Sequence, residues 1–166
     1  MFELEKNPEI QRLIQITKSN SGVSGPELAQ AHMNLGRLLA EQMNFAPEDT
    51  TVVAVMRGGL FFAEGIYFQF GCKFQIYDPK HEIFRRPDTP NIILVDAVIN
   101  TGKTIHNILQ PDMAVACCVI HEKAVASLAN QLYTVRVSKN SFVGANIQVQ
   151  SGTVGPDTTS RLFNLI

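Results

Sequence analysis

The chain has no excess charge of either sign, no long apolar run and no cysteine framework, and each absence removes a class of protein. Lys+Arg 14 against Asp+Glu 15 gives a formal net charge of -1 over 166 residues. No global positive field draws such a chain to nucleic acid or anionic lipid, so any basic site must be a local pocket. No apolar run reaches the roughly 20 residues that a bilayer-spanning helix needs. The opening Met-Phe-Glu-Leu-Glu-Lys has neither the basic start nor the apolar core of a secretory signal. Together these features lead us to expect a cytoplasmic protein with no membrane and no nucleic-acid partner. Cysteine is scarce: Cys72, Cys117 and Cys118 are odd in number, with two adjacent inside an apolar run, which reads as buried reduced thiols. His121 beside Cys117 and Cys118 is too small a cluster for zinc, so no metal site is expected. Repeats and low-complexity segments are also missing.

What is present describes an ordinary globular chain. A hydrophobic fraction of 45% and a charged fraction of 17% fit a single domain over residues 1–166 with one core. Ile10, Leu13, Ile14 and Thr17 recur at helical spacing over residues 7–19. Ser24-Gly25-Pro26-Glu27 reads as a capping box opening a second helix that runs to about Met43. Thr51 to Met56 is the first strong strand, Leu60 to Phe70 an aromatic-rich helix, and Lys73 to Tyr77 a second strand. Asp78 to Pro90 shows no period, and Lys80, Arg85 and Arg86 make it either a functional loop or a solvated one. Further on, a helix is expected over Ile105–Leu109, a buried strand over Met113–Ile120, a helix over His121–Gln131 and a strand over Leu132–Val137. In the tail, a possible strand near Ile147 is followed by a turn at Ser151-Gly152. Strands alternating with helices predict an α/β, doubly wound and mainly parallel sheet.

Two turns carry the chemistry. Ile92-Ile93-Leu94-Val95 is a strand-like apolar run that delivers Asp96 to the carboxyl end of a strand, where open α/β sheets hold their ligands. Asn100-Thr101-Gly102-Lys103-Thr104 follows, with backbone N–H groups, two threonine hydroxyls and a cation closely spaced, which are the parts of a phosphate cradle. Arg57-Gly58-Gly59, after the first strand, reads equally as an anion-binding turn or as a tight turn that required glycine. The nucleoside-triphosphate loop does not fit, because Ala97 stands where its first glycine is required. The dinucleotide fingerprint is missing as well.

Order, spacing and strand context of Val-Asp96 through Thr104, with Val-Met-Arg57-Gly58-Gly59-Leu before it, resemble the type I phosphoribosyltransferases. The uracil-specific branch is the most similar, on the single motif acid and on a tail carrying Asp157, Arg161 and Phe163. The resemblance implies that family's sheet with a small C-terminal hood, and phosphoribosyl transfer from phosphoribosyl pyrophosphate to a nucleobase, uracil above others. It implies Mg²⁺ carried in on that substrate and a homodimer or higher oligomer. By the same resemblance, Asp96 and Arg57 are catalytic, and Arg57, Gly58 and Gly59 hold pyrophosphate. Asp96 meets the ribose hydroxyls, while Asn100, Thr101, Gly102, Lys103 and Thr104 hold the 5′-phosphate. Arg85 or Arg86 closes over the ligand, and Val154, Gly155 and Asp157 face the base. Asp78 replaces an arginine of the family's flexible loop and that loop is short, which motivates the alternative of a non-catalytic phosphoribosyl-ligand-binding relative.

Overall fold

The apolar runs of the sequence become the middle of one sheet. The computed structural model describes residues 1–140 and 143–166. Its six-stranded sheet comprises β1 (Phe2–Glu3), β2 (Thr50–Val55), β3 (Lys73–Tyr77), β4 (Asn91–Ile99), β5 (Ala114–His121) and β6 (Leu132–Ser138). The spatial order is β1-β6-β5-β4-β2-β3 and every pairing is parallel. Parallel strands are covered on both faces, which is why β2 and β4 are continuous β-branched and aliphatic runs instead of alternating ones. In β4, Ile93 and Val95 enter one core while Ile92 and Leu94 enter the other. The first core is closed by α1 (Pro8–Thr17), α2 (Gly25–Ala40) and α3 (Leu60–Phe70), through Leu13, Leu35 and Phe62 among others. The second is closed by α4 (Lys103–His106) and α5 (Glu122–Leu128), through Ile105 and Leu128. From β2 the chain runs outward to β3, then returns across β2 to β4 and continues through β5 to β6. The winding reverses between β2 and β4, and at such a point the loops diverge and leave a crevice.

Two glycines set how closely α2 and α3 approach. A Cβ on Gly36 would stand 2.2 Å from the Phe62 carbonyl, and one on Gly65 would stand 2.0 Å from the Met33 carbonyl. Each helix thus presses its backbone into the other. Beyond the sheet, a two-stranded piece formed by β7 (Val143–Ala145) and β8 (Val154–Pro156) leads to α6 (Thr158–Leu162) and forms a small C-terminal hood at the carboxyl edge. No helix among the described residues is long and apolar enough to cross a membrane.

Several local expectations need correction. Ser24 precedes α2 but makes no cap bond to its first turn. Gly25 at φ 63° brings the chain in from a left-handed residue, and the Ser24 hydroxyl lies 3.5 Å from Asn164 instead. A side-chain cap is found on α1 instead, where Asn7 Oδ1 accepts from the Ile10 N–H at 2.8 Å. α4 spans only Lys103–His106, shorter than the Ile105–Leu109 helix expected, with Pro111 close behind it. β4 does not end at Asp96 but runs on to Ile99.

Candidate functional site

The late end of β4 explains the position of Asp96. β2 pairs with β4 only as far as Ala54↔Val95, whereas β5 continues alongside through Asp96↔Cys117 and Ile99↔Ile120. Asp96 is thus the first residue of β4 with no β2 partner, and it projects into the space that β2 vacates. The Arg57-Gly58-Gly59 turn occupies the other side of that space. A Cβ on Gly58 would stand 3.5 Å from Asp96 Oδ1, and one on Gly59 would stand 2.4 Å from the Val95 carbonyl and 2.7 Å from the Val55 carbonyl. Only glycine lets the turn lie this flat against β4. The Met56–Arg57 peptide at its start is cis.

Around these groups opens a cleft of 680 Å³, lined by Arg57, Gly58, Asp96, Asn100 and Thr104 together with residues of the hood. A second hollow of 200 Å³ adjoins it, lined by Asn100 through Ile105 and sharing Asp96, Asn100 and Thr104 with the cleft. Gly102 sits at φ 74°, so the turn folds back on itself, and the Lys103 N–H donates to the Thr101 hydroxyl at 3.4 Å. A small hollow and a larger cleft therefore meet at one carboxylate. Burial pushes the Asp96 carboxyl up to about 7, against hydrogen bonds from the Ala97 and Val98 backbone N–H groups. Cations outnumber carboxylates here: Lys18, Arg57, Lys80 and Arg136 line the cleft and Lys103 the hollow, against Asp78, Asp96 and Asp157. A polyanion suits such a surface in a chain that is globally near neutral.

The remaining expected residues divide. Asp157 lines the cleft, but its carboxylate also caps α6 by accepting from the Ser160 N–H at 2.8 Å. Val154 and Gly155 do not line the cleft; Pro156 and Thr159 do. Arg85 and Arg86 are also outside it. Arg86 instead pairs with Asp112 at 2.5 Å and donates to Gln110, and the Arg85 carbonyl accepts from Gln75 at 2.9 Å. The part of that loop at the cleft is its beginning, Asp78-Pro79-Lys80, where Asp78 contacts His81 at 2.8 Å. Thr17, His32 and Arg136 were not singled out from sequence as site residues, and all three line the cleft. Nothing in their local sequence marks them, because they lie on elements far apart in the chain.

The tail residues join the site indirectly. Arg161 is 3% exposed and donates to the Val23 carbonyl at 2.8 Å, the Thr17 carbonyl at 3.4 Å and the Ser21 hydroxyl at 3.1 Å. Phe163 packs against Phe61 at 5.4 Å between centroids and lies under the Arg57 guanidinium. The thiols are chemically quiet: burial pushes both Cys117 and Cys118 up, and all three cysteines are free. Among the described residues, no three His, Cys, Asp or Glu side chains group closely enough to hold a metal ion.

No protein-family model and no curated protein matches the sequence. Solved structures do match the fold. The AQ2163 protein from Aquifex aeolicus superposes with a TM-score of 0.65 at 15% identity, over 83% of this chain and 88% of that one. TT1426 from Thermus thermophilus gives 0.53 at 15% identity, over 80% and 96%. Orotate phosphoribosyltransferase from Aeropyrum pernix gives 0.50 at 18% identity, over 66% and 72%. With its parallel six-stranded sheet, its winding reversal between β2 and β4 and its terminal hood, the chain has the α/β fold of the type I phosphoribosyltransferases.

Proposed function

We propose that the protein is a phosphoribosyltransferase, acting on Mg²⁺-bound phosphoribosyl pyrophosphate and a nucleobase. The observation that carries the reading is Asp96 set between the flat Arg57-Gly58-Gly59 turn and the Asn100–Ile105 hollow, 3.5 Å from a Cβ position on Gly58. The 5′-phosphate would fill the hollow, accepting from the Thr101 and Thr104 hydroxyls, nearby backbone N–H groups and Lys103. The ribose hydroxyls would donate to the Asp96 carboxylate, and pyrophosphate would lie along the Arg57 turn. A ring nitrogen's lone pair forms the bond to C1′ as the C1′–O bond to pyrophosphate breaks, and that bond's electron pair leaves on the pyrophosphate. A proton on that nitrogen passes to cleft water. Positive charge grows on the ribose beside Asp96 while negative charge grows beside Arg57 and Lys80, so groups already in place stabilise both. The Mg²⁺ is part of the substrate, held by its own oxygens.

Uracil as acceptor rests on the Asp157, Arg161 and Phe163 resemblance, and the first two of these serve as a helix cap and a tether here. Titration calorimetry with Mg²⁺ and phosphoribosyl pyrophosphate, followed by pyrophosphate release across a panel of bases, tests the reading. Tight binding with turnover is expected, and failure to bind the donor would sink it. A second reading, a relative that binds the same ligand without chemistry, is favoured by one observation: Arg85 and Arg86 lie off the cleft. Tight binding with no turnover on any base would select it.

A further inference from the structure

Starting two residues beyond Asp96 on the same strand, a row of three side chains crosses the cleft floor. Val98, Val119 and Arg136 are register partners on β4, β5 and β6, and all three line the cleft. Beneath the row, His32 of α2 also lines the cleft, yet it is only 1% exposed. Among the described residues, neither ring nitrogen of His32 has a hydrogen-bond partner, and the buried Arg136 Nε has none either. Neither Arg136 nor Arg161 forms an ion pair among the described residues, and the bonds Arg161 makes go to neutral oxygens. Burial, then Arg161 and Arg136, hold His32 down to about 3, so it is neutral with one N–H to give and one lone pair to receive. A guanidinium with a buried, unpaired N–H and no counter-ion is costly to keep, and an anionic partner offsets that cost.

Resting on the phosphoribosyl-transfer reading above, we infer that this end of the cleft takes the acceptor. We further infer that the acceptor is a planar nitrogen heterocycle carrying a carboxylate. Neighbouring strands lie about 4.8 Å apart, so Val98 and Val119 together offer an apolar strip about as wide as one six-membered ring. The next step along the row is Arg136. A ring laid on the two valines, with its nitrogen toward the ribose at Asp96, therefore brings a carboxylate on its far edge to the Arg136 guanidinium. A neutral base would leave that guanidinium unpaired. Inorganic phosphate could satisfy the charge but would leave the valine strip bare.

The test begins with the affinity for Mg²⁺ and phosphoribosyl pyrophosphate, which judges the transfer reading by itself; no donor binding overturns both. The donor complex is then titrated with orotate and nicotinate, and with their neutral counterparts uracil and nicotinamide. At least one acid should bind ~30-fold or more tightly than its neutral counterpart, as expected for a desolvated charge pair. Arg136→Gln should erase that preference, read as the acid-to-neutral affinity ratio at saturating donor, and Arg136→Lys should restore part of it. Inorganic phosphate should not displace the acid. Preference for the neutral rings, equal binding of the two, acid binding indifferent to Arg136→Gln, or displacement by phosphate alone would each overturn the acceptor assignment. All four leave the transfer reading standing. If Arg136→Gln does not fold, the wild-type discrimination and the Arg136→Lys variant decide the matter.

Discussion

The Arg57 guanidinium carbon lies 5.7 Å from the centroid of the Phe163 ring. The exposed cation of the turn is thus held by a residue more than a hundred positions later, and Phe163 is itself set by Phe61 at 5.4 Å. A cation over an aromatic face at an exposed site is worth about 0.5–1 kcal/mol. Phe163→Ala should therefore weaken binding of phosphoribosyl pyrophosphate by ~2- to 5-fold, and Phe163→Leu, which keeps the packing on Phe61, should weaken it by nearly as much. Calorimetry on both variants checks this. If Phe163→Leu binds like wild type, the ring face has no role.

Asp96 makes stability depend on pH. Its carboxyl is raised from 3.8 to about 7 in the folded chain, so between those values the folded state keeps a proton that the unfolded state has released. The contribution is fully present below 3.8 and is lost as pH rises through 7. Asp96→Asn lacks it. Between pH 4 and pH 8 the variant should gain stability relative to wild type, on the order of 1–3 kcal/mol, since cleft water still reaches the carboxyl. Urea unfolding at a series of pH values reads this directly, and a pH-independent difference would refute it. The same variant should bind the donor at least ~10-fold more weakly if Asp96 accepts from the ribose hydroxyls.

Gly59 has no room for a side chain. With a Cβ 2.4 Å from the Val95 carbonyl and 2.7 Å from the Val55 carbonyl, Gly59→Ala must push the turn away from β4. Destabilisation of about 1–3 kcal/mol is expected from such overpacking, and donor affinity should fall with it. Gly58→Ala faces only Thr159 and Asp96 side-chain atoms at 3.2 and 3.5 Å, so it should be much milder in a thermal melt. Equal effects at the two positions would contradict the geometry.

The loop cations should separate. Lys80 lines the cleft, whereas Arg86 is paired with Asp112 at 2.5 Å on the surface. Lys80→Ala is expected to weaken the donor complex by ~5- to 20-fold with a clear salt dependence. Arg86→Ala should leave both the thermal midpoint and donor affinity close to wild type, as loss of an exposed ion pair usually does. Donor affinity measured at two salt concentrations distinguishes them, and a larger loss at Arg86 would reverse the assignment.

The middle of the sheet was legible because β2, β4 and β5 are nearly uninterrupted apolar runs, and the helix Leu60–Phe70 and the alternating strand Lys73–Tyr77 come out at the residues expected. The two loops of the candidate site were legible for a related reason: Arg57-Gly58-Gly59 and Asn100–Thr104 are contiguous, so one stretch of chain holds all the groups that act together. The other half of the cleft was not. His32, Arg136 and the Thr17 turn come from α2, β6 and the end of α1, and only tertiary packing brings them together. Arg136 looks in sequence like any charged residue on an alternating strand. β1 is two residues long and owes its pairing to β6, with Leu4 donating to the Thr134 carbonyl at 2.9 Å, so no local pattern announces it. The Ser24 capping box failed because Gly25 adopts a left-handed φ that the motif does not reveal.

The tether made by Arg161 also bears on the order in which the protein can be built. Its bonds reach back 138 and 144 residues, to Val23 and Thr17, across nearly the whole chain. During synthesis the sheet from β2 to β6 can assemble as it emerges, but the α1–α2 linker that borders the cleft lacks its long-range bonds, from Ser19 to Gln150 and from Arg161, until residues 150 and 161 are free to fold. A nascent chain arrested before that point should hold a formed core and an open, protease-sensitive linker at residues 18–24. The candidate cleft is then the last part of the molecule to mature.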